Sequence, residues 1–360
     1  MPVDDLLKWR NLTDTVNDAD SPNSFVKRTY FSREEAKTTK KIDVPRIDRG
    51  RRMAPLIKRG TAATMIEGGD EDMSTITPAH IRVKRAFTPS ELLEKRRPGS
   101  RIYAEDAEMT AAMQEYVARE LGYGLDDVDD TEEYLCCQLL TGQIDYTDPS
   151  GYRFTATVPR KAAMSITLAG ADLWDASTAN IVGNFLTAQE LVSDEISTTV
   201  DSVVLGREAA QAFANAVLGG AVQMNPLLDL RRIASGQIDF TTQIDNDTGA
   251  LRLGTLSNGI EVWRYGRQIL HPDGSTVDLI RPKYAEFIPK NSSRAGADRV
   301  IYYGAIEDMK AIEGSGRIAS KRFSKSWEIE DPSSTQYLIE SNPLPVMRRP
   351  NSWVSMQVVA

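Results

Sequence analysis

The side chains that most often carry out chemistry are sparse in this sequence. Its two histidines, His80 and His271, lie far apart, and each is close to a turn proline. The acidic run DDVDD at residues 126–130 lacks the alternating ligands, the glycine and the distal glutamate of a calcium loop, so the solvated start of a helix is the better interpretation. Two adjacent cysteines, Cys136 and Cys137, make no structural zinc site by themselves. We therefore expect no metal and no other cofactor.

Enzyme motifs are missing as well. The sequence has no Gly-x-Ser-x-Gly elbow, no phosphate-loop pattern and no His-Glu-x-x-His helix. The pair Gly314 and Gly316 is ordinary as a hinge and is weak evidence for a phosphate site. A basic strip comprises Arg49, Arg51, Arg52, Lys58 and Arg59. Because no aromatic side chains that could stack on bases are interleaved with it, contact with an acidic protein surface is the better interpretation.

Charge is unevenly distributed along the chain. The 360 residues carry a net charge of −8, but residues 1–100 hold 20 basic and 15 acidic side chains, against 23 and 36 in residues 101–360. The overall balance predicts no general affinity for nucleic acid or an anionic membrane surface, whereas the basic front and the acidic remainder could attract each other within or between copies.

No apolar run approaches ~18 residues, so no membrane span is expected. The N-terminus lacks a secretory signal, and two neighbouring thiols are poorly placed to bridge; both features favour a cytoplasmically made protein.

Residues 40–89 form the stretch that the other elements must accommodate. Its short β-leaning pieces are Lys41–Val44, Arg52–Ile57, Ala62–Ile66 and His80–Phe87. Prolines and glycines separate these pieces at a density that excludes a long helix, and Gly68-Gly69 is turn chemistry. None of the pieces can bury a core of its own. The pattern predicts a long hairpin-like arm that lies on another surface.

A polar, irregular segment precedes this stretch. Residues 1–40 are punctuated by the large side chains of Leu6, Leu7, Trp9, Phe25, Tyr30 and Phe31. Two interpretations stay open: a frayed tail, or an arm whose aromatic residues anchor on a neighbour.

Helical periodicity begins after the extended stretch. Apolar residues recur at spacings of three and four over Tyr103–Leu121 and again over Asp129–Thr141, with Gly122 and Gly124 between them and Gly142 at the end. The pattern predicts one long helical element that could be kinked at the two inner glycines. A half-buried strand is predicted over Gly151–Pro159, where apolar and polar side chains alternate.

The remaining elements predict an inserted α/β domain. Between about residues 170 and 318 we predict helices at Ala179–Thr199, Arg207–Leu218 and Pro226–Ile233, and strands at Asp201–Leu205, Ile238–Thr242, Leu251–Leu253, Ile260–Tyr265, Arg267–Leu270, Thr276–Ile280 and Val300–Ile306. The C-terminal strands are predicted at Phe323–Ile329, Gln336–Ser341, Leu344–Met347 and Trp353–Val359. Strands at the end of a chain usually pair with earlier ones, so the α/β domain interrupts another domain made of about residues 86–168 and 319–360. A soluble α/β enzyme centred on residues 170–318 is the alternative from a different functional class.

This order of parts is similar to the Hong Kong 97-type fold of tailed-phage major capsid proteins, and the local sequence resembles the lambda-type major head protein, the phage capsid protein E family. The resemblance is carried by Phe25–Phe31, Thr38–Pro45, Ala54–Ile57, Gly60, Met65-Ile66, Gly68-Gly69, Thr77-Pro78, Lys84, Pro89, Tyr303-Gly304, Lys325–Trp327, Asp331-Pro332, Ser341–Leu344 and Trp353–Val358. It is strongest at 25–90 and 321–360, and weakest at 160–300. The implied fold class is α+β, with an N-terminal arm (1–40), an extended hairpin loop (41–88), a peripheral domain with a long spine helix (89–168), an inserted α/β axial domain (169–318) and a C-terminal return to the peripheral domain (319–360).

The resemblance implies a structural subunit and no enzyme. Copies of the chain would self-assemble into hexamers and pentamers of an icosahedral head that encloses double-stranded DNA without sequence-specific binding, in the virion, after assembly in the host cytoplasm. Separate scaffold and portal proteins, and a possible decoration protein, would be partners, and no membrane would be involved. An encapsulin-like compartment is the alternative within the same fold. The expected inter-subunit contacts are Phe25, Tyr30, Phe31, Arg49, Arg51, Arg52, Ile57, Met65, Gly68 and Gly69.

Overall fold

The computed structural model describes residues 13, 17, 24–48, 70–88, 106–218, 248–255, 259–290, 298–309, 311 and 319–360. The helices within these ranges are α1 (Phe25–Tyr30), α2 (Asp106–Leu140), α3 (Ile181–Ile196) and α4 (Arg207–Leu218). The strands are β1 (Arg33–Ala36), β2 (Ile42–Asp48), β3 (Asp70–Ile76), β4 (Ile81–Phe87), β5 (Gln143–Thr147), β6 (Arg153–Thr157), β7 (Ser165–Thr167), β8 (Ser202–Leu205), β9 (Leu251–Thr255), β10 (Glu261–Arg264), β11 (Gln268–Leu270), β12 (Thr276–Asp278), β13 (Tyr284–Ile288), β14 (Arg299–Tyr303), β15 (Arg322–Ile329), β16 (Ser334–Ser341), β17 (Pro343–Met347) and β18 (Val354–Gln357).

The long helical element is continuous. Helix α2 runs for 35 residues through Gly122 and Gly124 without a break. A glycine costs a helix about 1 kcal/mol relative to alanine, and the buried apolar side chains on either side, such as Val117 and Val128, outweigh that cost. The helix ends where the sequence predicts, because Gly142 adopts a left-handed φ of 92°.

The base of the predicted hairpin arm is present. Strands β2 and β3 pair antiparallel in a two-stranded ribbon, from Ile42 opposite Ile76 to Asp48 opposite Asp70. Ile42 and Val44 are buried in the chain's main core, whereas Met73 is 66% exposed. The predicted pieces Arg52–Ile57 and Ala62–Ile66 lie outside the described residues.

A three-stranded antiparallel sheet covers the middle of α2. Its order is β15-β16-β4, so β4, which follows the hairpin, joins the first C-terminal strands. Phe87, Tyr337 and Ile339 from this sheet form a core with Tyr116 and Val128 of the helix. The rings of Phe87 and Tyr337 stack with their centroids 5.3 Å apart.

The inserted α/β region is built on a six-stranded sheet of order β7-β18-β13-β8-β10-β9. Helices α3 and α4 supply the apolar side chains that cover it, including Phe185, Val192 and Ala209. The predicted turn at His271–Gly274 joins the small antiparallel pair β11 and β12. The elements predicted at Pro226–Ile233 and Ile238–Thr242 lie outside the described residues.

The C-terminal segment is shared among three sheets. Strands β15 and β16 pair with β4, whereas β17 pairs with β14 in the sheet β1-β14-β17, and β18 lies between β7 and β13 of the six-stranded sheet. Strand β18 therefore lies in the six-stranded sheet of the α/β region, and the domain bounds given from the sequence stay a prediction. Its side chains Val354 and Met356 are apolar and fully buried against the α/β core, which holds the strand there.

Candidate functional site

Helix α1 is docked on α2 through its backbone. The carboxylate of Glu133 accepts hydrogen bonds from the amide groups of Phe25 (3.0 Å), Val26 (2.7 Å) and Lys27 (2.8 Å). These amides belong to the first turn of α1 and have no partner within the helix. A negative charge at a helix N-terminus is also favourable electrostatically. A six-residue helix that would not form alone is thereby fixed to the spine.

Beside this cap lies a buried cluster of four charged side chains, which we call the arm junction. It consists of Lys27 from α1, Asp129 and Glu132 from α2, and Arg322 from β15. Each of these side chains is 1–8% exposed. The junction therefore ties the N-terminal arm to both the spine helix and a C-terminal strand.

Glu132 is the centre of the arm junction. Its Oε2 lies 2.5 Å from Lys27 Nζ and 3.3 Å from an Arg322 nitrogen. Its Oε1 accepts a hydrogen bond from Ser341 Oγ at 2.8 Å, and Tyr303 donates its hydroxyl to Oε2 at 3.2 Å. Lys27 Nζ is also 3.5 Å from Asp129, which pairs with Arg322. Every charge of the junction thus has a partner of opposite sign.

These pairings favour the charged forms of Glu132 and Lys27. Burial alone would raise the pKa of Glu132, but the charges of Lys27 and Arg322 outweigh it and hold the pKa below its ordinary value. Burial likewise opposes the charge of Lys27, but the carboxylates of Glu132 and Asp129 together more than compensate, so the pKa of Lys27 is raised. Burial raises the pKa of the neighbouring Glu133 despite its backbone hydrogen bonds. The paired charges thus join α1, α2 and β15 to one another.

The aromatic residues of the arm lie inside their own subunit. Phe25, Tyr30 and Phe31 are only 2%, 0% and 1% exposed. The Phe25 ring packs 5.1 Å from Trp263 and 5.3 Å from Tyr265. Within the single chain these three residues are part of the main core, and their contact with another copy stays a prediction.

The other predicted contact residues are not brought together by the described structure. Arg49, Arg51, Arg52, Ile57, Met65, Gly68 and Gly69 all lie outside the described residues. Only the base of the hairpin that would present them is described, where Ile47 N donates to the carbonyl oxygen of Arg348 at 2.9 Å.

The junction residues themselves were missed by sequence reasoning. A signal was present, since Glu132 and Glu133 interrupt an otherwise apolar helical face just before Tyr134 and Leu135. Charged residues are seldom fully buried unless they are paired, so acidic residues at core positions predict buried cations. The identity of those cations, Lys27 and Arg322, could not be read from the sequence because they lie more than 100 positions away on either side.

Within the described ranges, no group of three or more histidine, cysteine, aspartate or glutamate side chains is placed to hold a metal ion. None of the helices described is both long enough and apolar enough to cross a membrane.

Comparison with solved structures identifies the fold. A prophage protein of Escherichia coli CFT073, described as a candidate capsid protein, superposes with a TM-score of 0.67 at 17% identity, covering 100% of this chain and 99% of that one. The capsid protein of Ralstonia phage GP4 gives a TM-score of 0.52 at 11% identity, covering 95% and 93% of the two chains. That of cyanophage A-1(L) gives 0.51 at 10% identity, covering 92% and 91%. The fold is therefore that of tailed-phage capsid proteins of the Hong Kong 97 type.

The sequence gives the family. No curated protein sequence matches the chain significantly, but residues 8–358 match the family described as phage major capsid protein E. That match spans every element described above. The chain belongs to the phage major capsid protein E family and is a structural protein of the phage capsid.

Proposed function

We propose that this protein forms the shell of a phage head by association of its copies as hexamers and pentamers on an icosahedral lattice around double-stranded DNA. The observation that carries the proposal is the family match over residues 8–358, on a chain with an N-terminal segment, a two-stranded ribbon and a 35-residue helix. A closed shell needs heterologous contacts repeated many times, and such contacts need large surfaces rather than catalysis. We propose accordingly that the protein is not an enzyme and is assembled in the host cytoplasm.

The hairpin is the proposed clasp between copies. A two-stranded ribbon is marginal in water unless it packs on something else. The inner half of β2 packs on its own subunit through Ile42 and Val44, but Met73 on β3 is 66% exposed. The residues beyond the described ribbon contain the basic strip Arg49, Arg51 and Arg52, and the remainder of the chain is acidic. Charge complementarity between copies supports a neighbouring subunit as the surface on which the hairpin lies.

Further partners follow from the same proposal. A scaffold and a portal protein, and possible decoration proteins, would be separate chains. The net negative charge supports enclosure of DNA without a tight or sequence-specific grip.

The clasp can be tested with the double substitution Gly68→Val/Gly69→Val. Bulky β-branched residues should leave the circular dichroism spectrum and the unfolding midpoint unchanged, because the pair lies beyond the core-packed base of the hairpin. Particles detected by sedimentation velocity should be lost. Thr155→Val, an exposed strand position outside the hairpin, is the matched control. Normal shells from the double variant would refute the clasp.

A further inference from the structure

The arm junction offers more than attachment of α1. We propose that it is a lock that couples the seating of residues 24–36 to the placement of the hairpin base, so that both segments are held together or released together. This inference concerns the single subunit and does not depend on the shell proposed above.

The first step is the electrostatics of release. If α1 left its seat, Lys27 would be withdrawn from Glu132 and Asp129, which would keep Arg322 as their cation. Two buried carboxylates would then share one guanidinium. Removing one partner of a buried ionic group leaves an uncompensated charge and is strongly unfavourable. Partial loosening of the arm is therefore disfavoured, so helix α1 is either fully docked on α2 or fully detached from it.

The backbone cap reinforces this behaviour. The carboxylate of Glu133 is shared by three consecutive amides of α1, from Phe25 to Lys27. Because all three hydrogen bonds depend on one side chain, they form or break as a unit. The cap and the ion pairs come from neighbouring positions on α2, so that one rigid helix surface holds both.

The second step is the path from the lock to the hairpin. Tyr303 donates its hydroxyl to Glu132 at 3.2 Å, and its backbone oxygen accepts a hydrogen bond from Lys37 N at 2.7 Å. Lys37 directly follows β1, which pairs in parallel with β14 over Arg33–Ala36. Ala305 N then donates to the carbonyl oxygen of Thr39 at 3.1 Å. The strand β14 thus contacts the lock with a side chain and guides the backbone that leads to the hairpin.

The path ends at buried side chains of the hairpin. Ile42 and Val44 of β2 are 2% and 8% exposed and belong to the same core cluster as Phe25, Tyr30 and Tyr303. A second ion pair, between Glu34 of β1 and Lys321 next to Arg322, ties the middle of the path to the lock. Between Phe31 and Ile42 the chain is held to β14 and the segment after it by the pairing of β1 and by the backbone hydrogen bonds of Lys37 and Thr39, which makes joint release the expected behaviour.

The test is hydrogen exchange, measured by mass spectrometry. The wild-type and variant full-length proteins are compared in the same state of assembly. Lys27→Met removes the charge but retains the apolar stem. We expect the amides of both 24–36 and 42–48 to exchange about tenfold faster, with those of β8 and β13 unchanged. Lys37→Met is the matched control, because it removes a lysine of the same arm whose side-chain ion pair, with Glu35, lies outside the lock and is partly exposed (41% and 25%); the Lys37 backbone amide is kept, and the variant should change neither segment.

A less disruptive substitution, Ser341→Ala, provides the same test if the Lys27→Met variant does not fold. Ser341→Ala removes one hydrogen bond to Glu132 from a strand distant in sequence. It should accelerate exchange in residues 24–36 and in residues 42–48 by similar factors, both smaller than those expected for Lys27→Met. Acceleration confined to 24–30, or spread equally over the whole chain, would overturn the proposal in either variant. Unchanged exchange in both segments would overturn it too, whereas loss of particles together with the expected change in exchange would support the lock and bear separately on the shell.

Discussion

The indole nitrogen of Trp353 donates a hydrogen bond to the carbonyl oxygen of Leu140 at 2.9 Å. Leu140 is the last residue of α2, where carbonyl groups lack partners within the helix. Trp353 is fully buried, and the guanidinium of Arg160 lies 4.6 Å from its ring centroid. The end of the spine helix is therefore closed by a residue from the turn that precedes the last strand. The fold depends on the C-terminal segment for more than strand pairing.

Replacing Trp353 should reveal this closure. Trp353→Phe keeps an aromatic ring but leaves a buried carbonyl without a donor, so we expect the free energy of unfolding to fall by about 1–3 kcal/mol, with a further contribution from lost volume. Denaturant unfolding measures the change. Trp327→Phe, a half-buried position on β15, is the control and should change it by less than about 1 kcal/mol. Equal losses in the two variants would argue against the closure.

The two glycines inside α2 should respond differently to alanine. No heavy atom lies within 4 Å of a Cβ at Gly122, whereas a Cβ at Gly124 would lie 3.2 Å from both Ile339 Cδ1 and Tyr337 Oη. Gly122→Ala should stabilise the protein by about 0.5–1 kcal/mol through helix propensity.

Crowding against β16 should remove that gain in Gly124→Ala, which we expect to be less stable than Gly122→Ala by about 1 kcal/mol or more. Thermal and denaturant unfolding of the two variants give the difference directly. Equal stabilisation by both substitutions would mean that the side chains of β16 make room for the extra methyl group at no cost in stability.

Acid should weaken the arm junction. The pKa of Glu132 is lowered in the folded protein from an ordinary value of 4.5, because Lys27 and Arg322 outweigh the opposing effect of burial. A carboxylate whose pKa is depressed by folding contributes stability that is complete above about 4.5 and is lost as pH falls through the folded pKa.

Glu132→Gln should therefore be less stable at pH 7 and should lose less stability between pH 5 and pH 3 than the wild type does. The free energy of unfolding, measured across that range, tests the sign. A variant that follows the wild-type acid profile in parallel would show that Glu132 does not carry the dependence.

Much of the secondary structure follows from local patterns. The strands at Ser202–Leu205 and Arg153–Thr157 and the helices α3 and α4 were predicted, because a buried strand or an amphipathic helix leaves a strong signal in the sequence. The continuity of α2 was not settled by the sequence. Its two inner glycines weaken local propensity, and tertiary burial decides the outcome.

The partnership of distant segments was harder to predict. The short strand β18 has the composition of many buried strands, and only the shape of the α/β core selects it as the neighbour of β13. Similarly, Phe25, Tyr30 and Phe31 have the spacing of either an anchor on a neighbour or a core segment. Their placement is decided by Glu133, whose carboxylate lies more than 100 positions away in the chain.

The measurement that tests the central claim most directly is cryo-electron microscopy of the purified full-length protein. Our account predicts closed icosahedral particles, or hexameric and pentameric capsomers, in which the described subunit fits and the β2–β3 ribbon lies against a neighbouring copy. Discrete monomers or dimers with no capsomers, from protein produced alone and from protein produced with a scaffold, would contradict it.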